Sequence, residues 1–239
     1  MDEVLSRLLD KAWDMFLQTP ENMRFLIAIG GIPGSGKTTL SKRLTATLNA
    51  RHVAQFPDQP PVAAFVPMDG YHYTRAQLDA MPDPATAHAR RGAEFTFDGE
   101  GFLALVKRLK EPVTAETATI FAPSFDHAIK DPKENDIPVE KTHRIVVLEG
   151  NYLLLNKPPW SHAAALTSLK IFVSVPRSLA RTRLAARHLA AGLASTPEAA
   201  DRRAVENDLP NGDTILALRV PDVDEVVESL EDGAWLGLN

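Results

Sequence analysis

The segment Gly31-Ile32-Pro33-Gly34-Ser35-Gly36-Lys37-Thr38 constrains this chain more than any other. It fits the pattern G-x-x-x-x-G-K-[ST] and stands between an apolar run, Phe25 to Gly30, and a stretch of helical spacing, Thr38 to Ala50. Glycines in such a loop let successive backbone N–H groups curl around an anion, and the helix that follows adds its positive N-terminal end. Gly31, Gly34, Ser35, Gly36, Lys37, Thr38 and Thr39 are therefore the expected phosphate cradle. Within it Lys37 reaches the β- and γ-phosphates of a nucleoside triphosphate, and Thr38 holds magnesium.

The rest of the chain alternates short β-rich runs with helical patterns, the signature of a parallel sheet connected by helices. Strands are expected at Phe25–Gly30, Val62–Met68, Arg144–Leu148, Leu169–Val175 and Asp224–Glu228. Helices are expected at Thr38–Ala50, Phe102–Lys110, Ser178–Gly192 and Pro197–Glu206. Apolar residues from Val4 to Leu17 recur at helical spacing, so residues 1–20 read as a helix docked on the core. The Pro-rich segments Phe56–Pro61 and Pro132–Pro138 read as surface loops within one domain, 1–239.

Composition removes whole classes of chemistry. The chain has 239 residues and no cysteine, which excludes disulfides, thiolate catalysis and thiolate metal sites. A net charge of −5 argues against a general nucleic-acid binder. No apolar run approaches the ~18 residues that span a membrane. Acids at positions 2, 3, 10 and 14 suit neither a secretory nor a mitochondrial leader, and a cytoplasmic location is expected.

Two acids stand where strands end. Four apolar residues, Ile145 to Leu148, run into Glu149, and ligands of doubly wound sheets gather at the carboxyl ends of strands, so Glu149 is expected beside the phosphate loop as a magnesium or water-orienting group. Asp69 follows a second strand in Val66-Pro67-Met68-Asp69-Gly70-Tyr71-His72-Tyr73 and is the candidate base for a hydroxyl acceptor. Between residues 177 and 203 lie Arg177, Arg181, Arg183, Arg187, Arg202 and Arg203 against Glu198 and Asp201, a net +4 inside an acidic chain. Arginines on a helix that closes over a triphosphate neutralise charge on the transferring phosphoryl group, and Arg183 and Arg187 share one face at i and i+4.

Together these segments resemble the phosphoribulokinase, uridine kinase and bacterial type pantothenate kinase group of P-loop kinases. The resemblance spans residues 25–230 and rests on GIPGSGKTTL, PMDGYHY, RRGAEFTFD, APSFDHAIKDP, VVLEGNYLLL, RLAARHLAAG and ENDLPNG in that order. Within the group it is nearest the nucleoside or fructose kinase-like branch. It implies an α/β P-loop NTPase fold, a parallel sheet flanked by helices, with a helical arginine-rich lid at 177–206. It also implies ATP and Mg2+ as nucleotide and cofactor, Asp69 as base, Glu149 at the metal, and Arg183 or Arg187 as the lid arginine. Pro123-Ser124-Phe125-Asp126-His127 falls where pantothenate kinases carry P-x-Y-S-H and uridine kinases P-x-Y-D-F; Phe125 and Asp126 depart from the first pattern, His127 from the second. Tyr71, His72, Arg90, Arg91, Asp126 and His127 are the expected acceptor contacts.

The expected activity is transfer of the γ-phosphoryl group of ATP to a hydroxyl of a small polar metabolite: a nucleoside, a sugar or a pantothenate-like compound. The partner is that acceptor, with neither nucleic acid nor membrane; a homodimer is left open. The competing reading is a nucleotide-hydrolysing switch without an acceptor. A regulatory GTPase would need N-K-x-D, and Asn156-Lys157-Pro158-Pro159 lacks the aspartate. Glu206 to Gly212 either shapes the adenine pocket or ends a helix.

Overall fold

The computed structural model describes residues 1–126, 128–230 and 235. The chain begins with α1 (Asp2–Leu17) and enters the sheet at β1 (Phe25–Gly31), from which α2 (Lys37–Gln55) leads to β2 (Ala63–Pro67) and a short 3-10 turn, Met68–Tyr71. Helices α3 (Arg75–Asp79), α4 (Pro84–Ala89) and α5 (Gly99–Leu109) precede β3 (Ile120–Asp126) and β4 (Asp131–Val139). The order continues with β5 (Ile145–Gly150), α6 (Trp160–Ala165), β6 (Leu169–Ser174), α7 (Arg177–Ala190) and α8 (Pro197–Arg203). A π-helical turn, Ala204–Asp208, then joins α9 (Leu209–Ala217), and β7 (Glu225–Glu228) closes the sheet.

Side-chain alternation splits the core between the two faces of a sheet ordered β2-β5-β1-β6-β7, whose neighbouring strands among the described residues all run parallel. Phe25, Ile27 and Ile29 of β1, Ile145 and Val147 of β5, and Leu169 and Ile171 of β6 face α1 and α2. There they meet Leu40, Leu44 and Leu48 of α2, one stripe at i, i+4 and i+8, and Leu5, Leu8, Ala12 and Trp13 of α1. The alternate residues Leu26, Ala28, Val146, Leu148 and Phe172 face the other way, onto Phe102, Val106, Trp160 and Leu184. Both faces are covered, which is why β1 and β5 are buried along their whole length. α1 docks on the core through its apolar stripe, as its spacing predicts, although Leu17 at its end is exposed.

The proline-rich segment 132–138 is not a loop. It forms β4, paired antiparallel with β3 and separate from the main sheet, with Phe125 opposite Pro132 and Phe121 opposite Pro138. A two-stranded ribbon is all edge, so prolines sit at positions where no ladder N–H is required. Glu206 to Gly212 does not end a helix either. A π turn widens the helix just ahead of Pro210, whose missing N–H and ring conflict with the tighter α geometry, and the helix runs on to Ala217. The strand expected at Asp224–Glu228 forms the sheet edge: β7 pairs with β6, Val227 is buried, and Glu225 bonds Lys11 and Arg7 of α1. Among the described residues no helix is long and apolar enough to cross a membrane.

Candidate active site

The carboxyl ends of β1, β5 and β2 lie side by side, and the register fixes what meets there. Gly30 of β1 pairs with Gly150 of β5, and Glu149 with Pro67 of β2, so the phosphate loop, Glu149 and the Met68–Tyr71 turn emerge as neighbours. Gly34 and Gly36 hold φ of +79° and +85°, backbone that L side chains rarely adopt. Gly36 is the N-cap of α2 and has no side chain to cap it, which leaves the N–H groups of Lys37, Thr38 and Thr39 as donors toward the loop. Ser35 is fully buried, and its hydroxyl has no hydrogen-bond partner among the described residues.

Lys37 and Glu149 are buried together. The Lys37 ammonium lies 3.5 Å from the Ile32 carbonyl and 4.0 Å from Glu149 Oε1, too far for either to saturate its donors. Burial holds its pKa below the usual lysine value, while Glu149, Asp69 and Asp208 pull it back up and Arg187 presses it down. Burial likewise pushes Glu149 up to about 7, against the opposing pull of Lys37. Thr38 Oγ1 donates to Glu149 Oε1 at 3.2 Å, so a hydroxyl and a carboxylate converge beside the lysine. An under-satisfied ammonium, free helix N–H groups and two hard oxygen ligands suit a phosphate chain carrying Mg2+.

Asp69 is exposed, in the 3-10 turn beyond β2, and its charge acts on both Lys37 and Glu149. Its carbonyl contacts the His72 ring at Nδ1, 2.8 Å away, and that ring sits between Phe97 and Phe125, at 3.9 and 4.9 Å between centroids. The turn is pressed onto the β3–β4 ribbon at Gly70, where a Cβ would lie 2.1 Å from the Pro123 carbonyl oxygen. Backbone cannot yield as a side-chain tip does, so Gly70→Ala is expected to cost about 1–3 kcal/mol. Thermal unfolding checks this: a midpoint lowered by several degrees is expected, and an unchanged one contradicts the packing.

The remaining expected contacts divide. Tyr71 turns into the core, edge-on to Phe102, and burial holds its hydroxyl far above the usual tyrosine range. Asp126 accepts the N–H groups of Ala128 and Ile129 in the ribbon turn; His127 lies outside the described residues. Arg91 ties the ribbon down through the Lys130 and Tyr73 carbonyls and the Asp131 carboxylate. Arg90 donates to the side-chain oxygens of Asn207 and Asn211, at 3.0 and 2.9 Å.

The arginine-rich helix packs over the phosphate loop. Arg183 donates to the Gly34 carbonyl at 3.4 Å, Ser229 Oγ at 2.7 Å and the Leu230 carbonyl at 2.5 Å. Arg187, one turn on, is exposed, and its charge reaches Lys37. Arg177 and Arg181 pair with Asp213 and Asp201 on the surface, tying α7 to α9 and α8. Asp208 was not among the residues the sequence singled out. It lies in the π turn, 2.7 Å from the buried His188 ring, and its charge also reaches Lys37. Its only signal in the sequence was an acid inside the unassigned run ENDLPNG.

A parallel sheet with a phosphate loop after its first strand, an acid at the carboxyl end of β5, another just beyond β2 and an arginine helix over the loop defines a nucleotide-binding P-loop kinase. The chain belongs to the phosphoribulokinase/uridine kinase family, whose model matches residues 26–190. It is 52% identical over 172 residues to the ATP-dependent kinase-like protein notR' of Aspergillus versicolor, covering 72% of this chain and 97% of that one. Among solved structures it is similar to a candidate fructose transport system kinase from Silicibacter sp. TM1040, 35% identical, TM-score 0.79, covering 93% of this chain and 98% of that one. It is also similar to YFH7 from Saccharomyces cerevisiae, 25% identical, TM-score 0.83, covering 95% and 99%.

Proposed function

We propose that residues 1–239 form one kinase domain that transfers the γ-phosphoryl group of ATP to a hydroxyl of a small polar metabolite. The observation that carries this reading is Asp69: an exposed carboxylate at a strand end, close enough to influence Lys37 and Glu149 and backed by the ribbon. A hydrolysing switch has no use for an exposed acid beside the phosphate site in addition to the buried Glu149, whereas an alcohol acceptor needs a group to take its proton.

In this reading the acceptor oxygen attacks the γ-phosphorus in line, its proton passes to Asp69, and the bond to ADP breaks. The loop N–H groups and Lys37 hold the β- and γ-phosphates. Thr38 and Glu149 would hold Mg2+, which neutralises charge on the phosphate oxygens when bound. Arg187 is the lid arginine that serves the transferring phosphoryl group, since Arg183 is engaged in bracing the loop and the segment at 229–230. His72 and the ring of Phe125 line the acceptor side. Tyr71 and Arg91 support that wall from behind.

ADP release from magnesium ATP, measured against uridine, cytidine, pantothenate, fructose, ribose, ribulose 5-phosphate and glycerate, tests the reading. Stimulation by one compound is the expected result. Release indifferent to every compound favours the hydrolytic switch.

A further inference from the structure

The structure holds a second concentration of positive charge, away from the phosphate loop. Arg90, the C-cap of α4, faces α8 and the π turn across a cavity of about 530 Å³. Its wall includes Arg90, Arg202, Arg203, Glu206 and Asn207. Three guanidinium groups stand against one carboxylate. The volume falls within the roughly 300–1,000 Å³ of sites that enclose small molecules.

How these arginines are held separates them from their neighbours. Arg91, Arg177 and Arg181 each pair with a carboxylate, Asp131, Asp213 and Asp201 respectively. Arg90 is instead oriented by two neutral amides, Asn207 and Asn211, which fix the plane of a guanidinium without cancelling its charge. Arg202 and Arg203 are exposed and form no ion pair among the described residues. An uncompensated group of this kind attracts an oxyanion.

Two chain segments join the cavity to the reaction centre. Asn207, on its wall, precedes Asp208, whose charge reaches Lys37. On the other side, Tyr152 donates to the Gly92 carbonyl at 2.8 Å, tying the segment after Arg90 to the one that follows Glu149. Asn207 and Asp208 both belong to the π turn, an uncommon conformation that recurs at functional sites.

We infer that this cavity binds an anionic group of the acceptor, a phosphate or a carboxylate, so that the kinase acts on a phosphorylated or acidic polyol in preference to a neutral nucleoside or sugar. The inference rests on the kinase reading above and narrows its substrate class.

The test uses acceptor pairs that share a skeleton and differ in the anion: ribose with ribose 5-phosphate, fructose with fructose 6-phosphate, glycerol with glycerate. Each is assayed for ADP release and, separately, for binding by calorimetry in the presence of ADP. One anionic member is expected to surpass its neutral partner in both, and the pair that responds tells phosphate from carboxylate. Arg202→Gln/Arg203→Gln is expected to raise the KM of that acceptor roughly 10- to 100-fold, with kcat and the KM of ATP little changed. Both side chains are exposed, so the fold should persist, and thermal unfolding verifies it. A neutral preference overturns the inference. So does an acceptor KM that the double substitution leaves unmoved, or an effect confined to the KM of ATP. If anions bind through Arg202 and Arg203 but no acceptor receives phosphate, the cavity stands and the kinase reading falls.

Discussion

Asp69→Asn is expected to lower turnover by roughly 10²- to 10⁴-fold while ATP affinity stays within about twofold. The substitution keeps the shape of the side chain and removes its ability to accept a proton. Asp69 is exposed, so the change disturbs no packing. It also withdraws a negative charge that adds to the upward push of burial on Glu149, so the magnesium requirement should ease slightly even as transfer collapses. That opposite movement separates a lost base from a damaged metal site. Turnover near wild type contradicts the assignment.

Lys37→Met should reduce turnover by at least about 10²- to 10³-fold, the usual consequence of removing one preorganised charge from a transition state, and should weaken ATP binding as well. A second effect follows from the buried pair. Lys37 holds Glu149 down against the upward push of burial. Without the ammonium, Glu149 titrates above about 7, is largely protonated at neutral pH, and binds a cation poorly. The variant should therefore need more magnesium, and raising the pH should restore part of its metal affinity. A magnesium dependence identical to wild type contradicts the coupling between these two groups.

What the sequence disclosed follows from how local each signal is. The phosphate loop, Glu149 and Asp69 are written within a few residues of a strand, and a strand end in a parallel sheet has only one place to go. The pairs Gly30–Gly150 and Pro67–Glu149 then bring the three together. The wall facing Asp69 was harder to read. The segment 132–138 looked like a loop because proline is rare in sheets, yet a ribbon that is all edge admits it. Arg90 meets Asn207 and Asn211 across more than a hundred residues, and no spacing announces that meeting. The π turn was hidden by Pro210, which reads as a helix stop and is instead accommodated by the wider turn before it. Arg183 and Arg187 share a helical face in the sequence; only their surroundings distinguish the arginine that braces the loop from the exposed one whose charge reaches Lys37.

The most direct measurement of the central claim is a single turnover with ATP labelled at the γ-phosphoryl group, in the presence of the acceptor that stimulates ADP release. Label recovered as an organic phosphate ester, and lost from that fraction in Asp69→Asn, is the predicted result. Label recovered only as inorganic phosphate, at the same rate in both proteins, contradicts it.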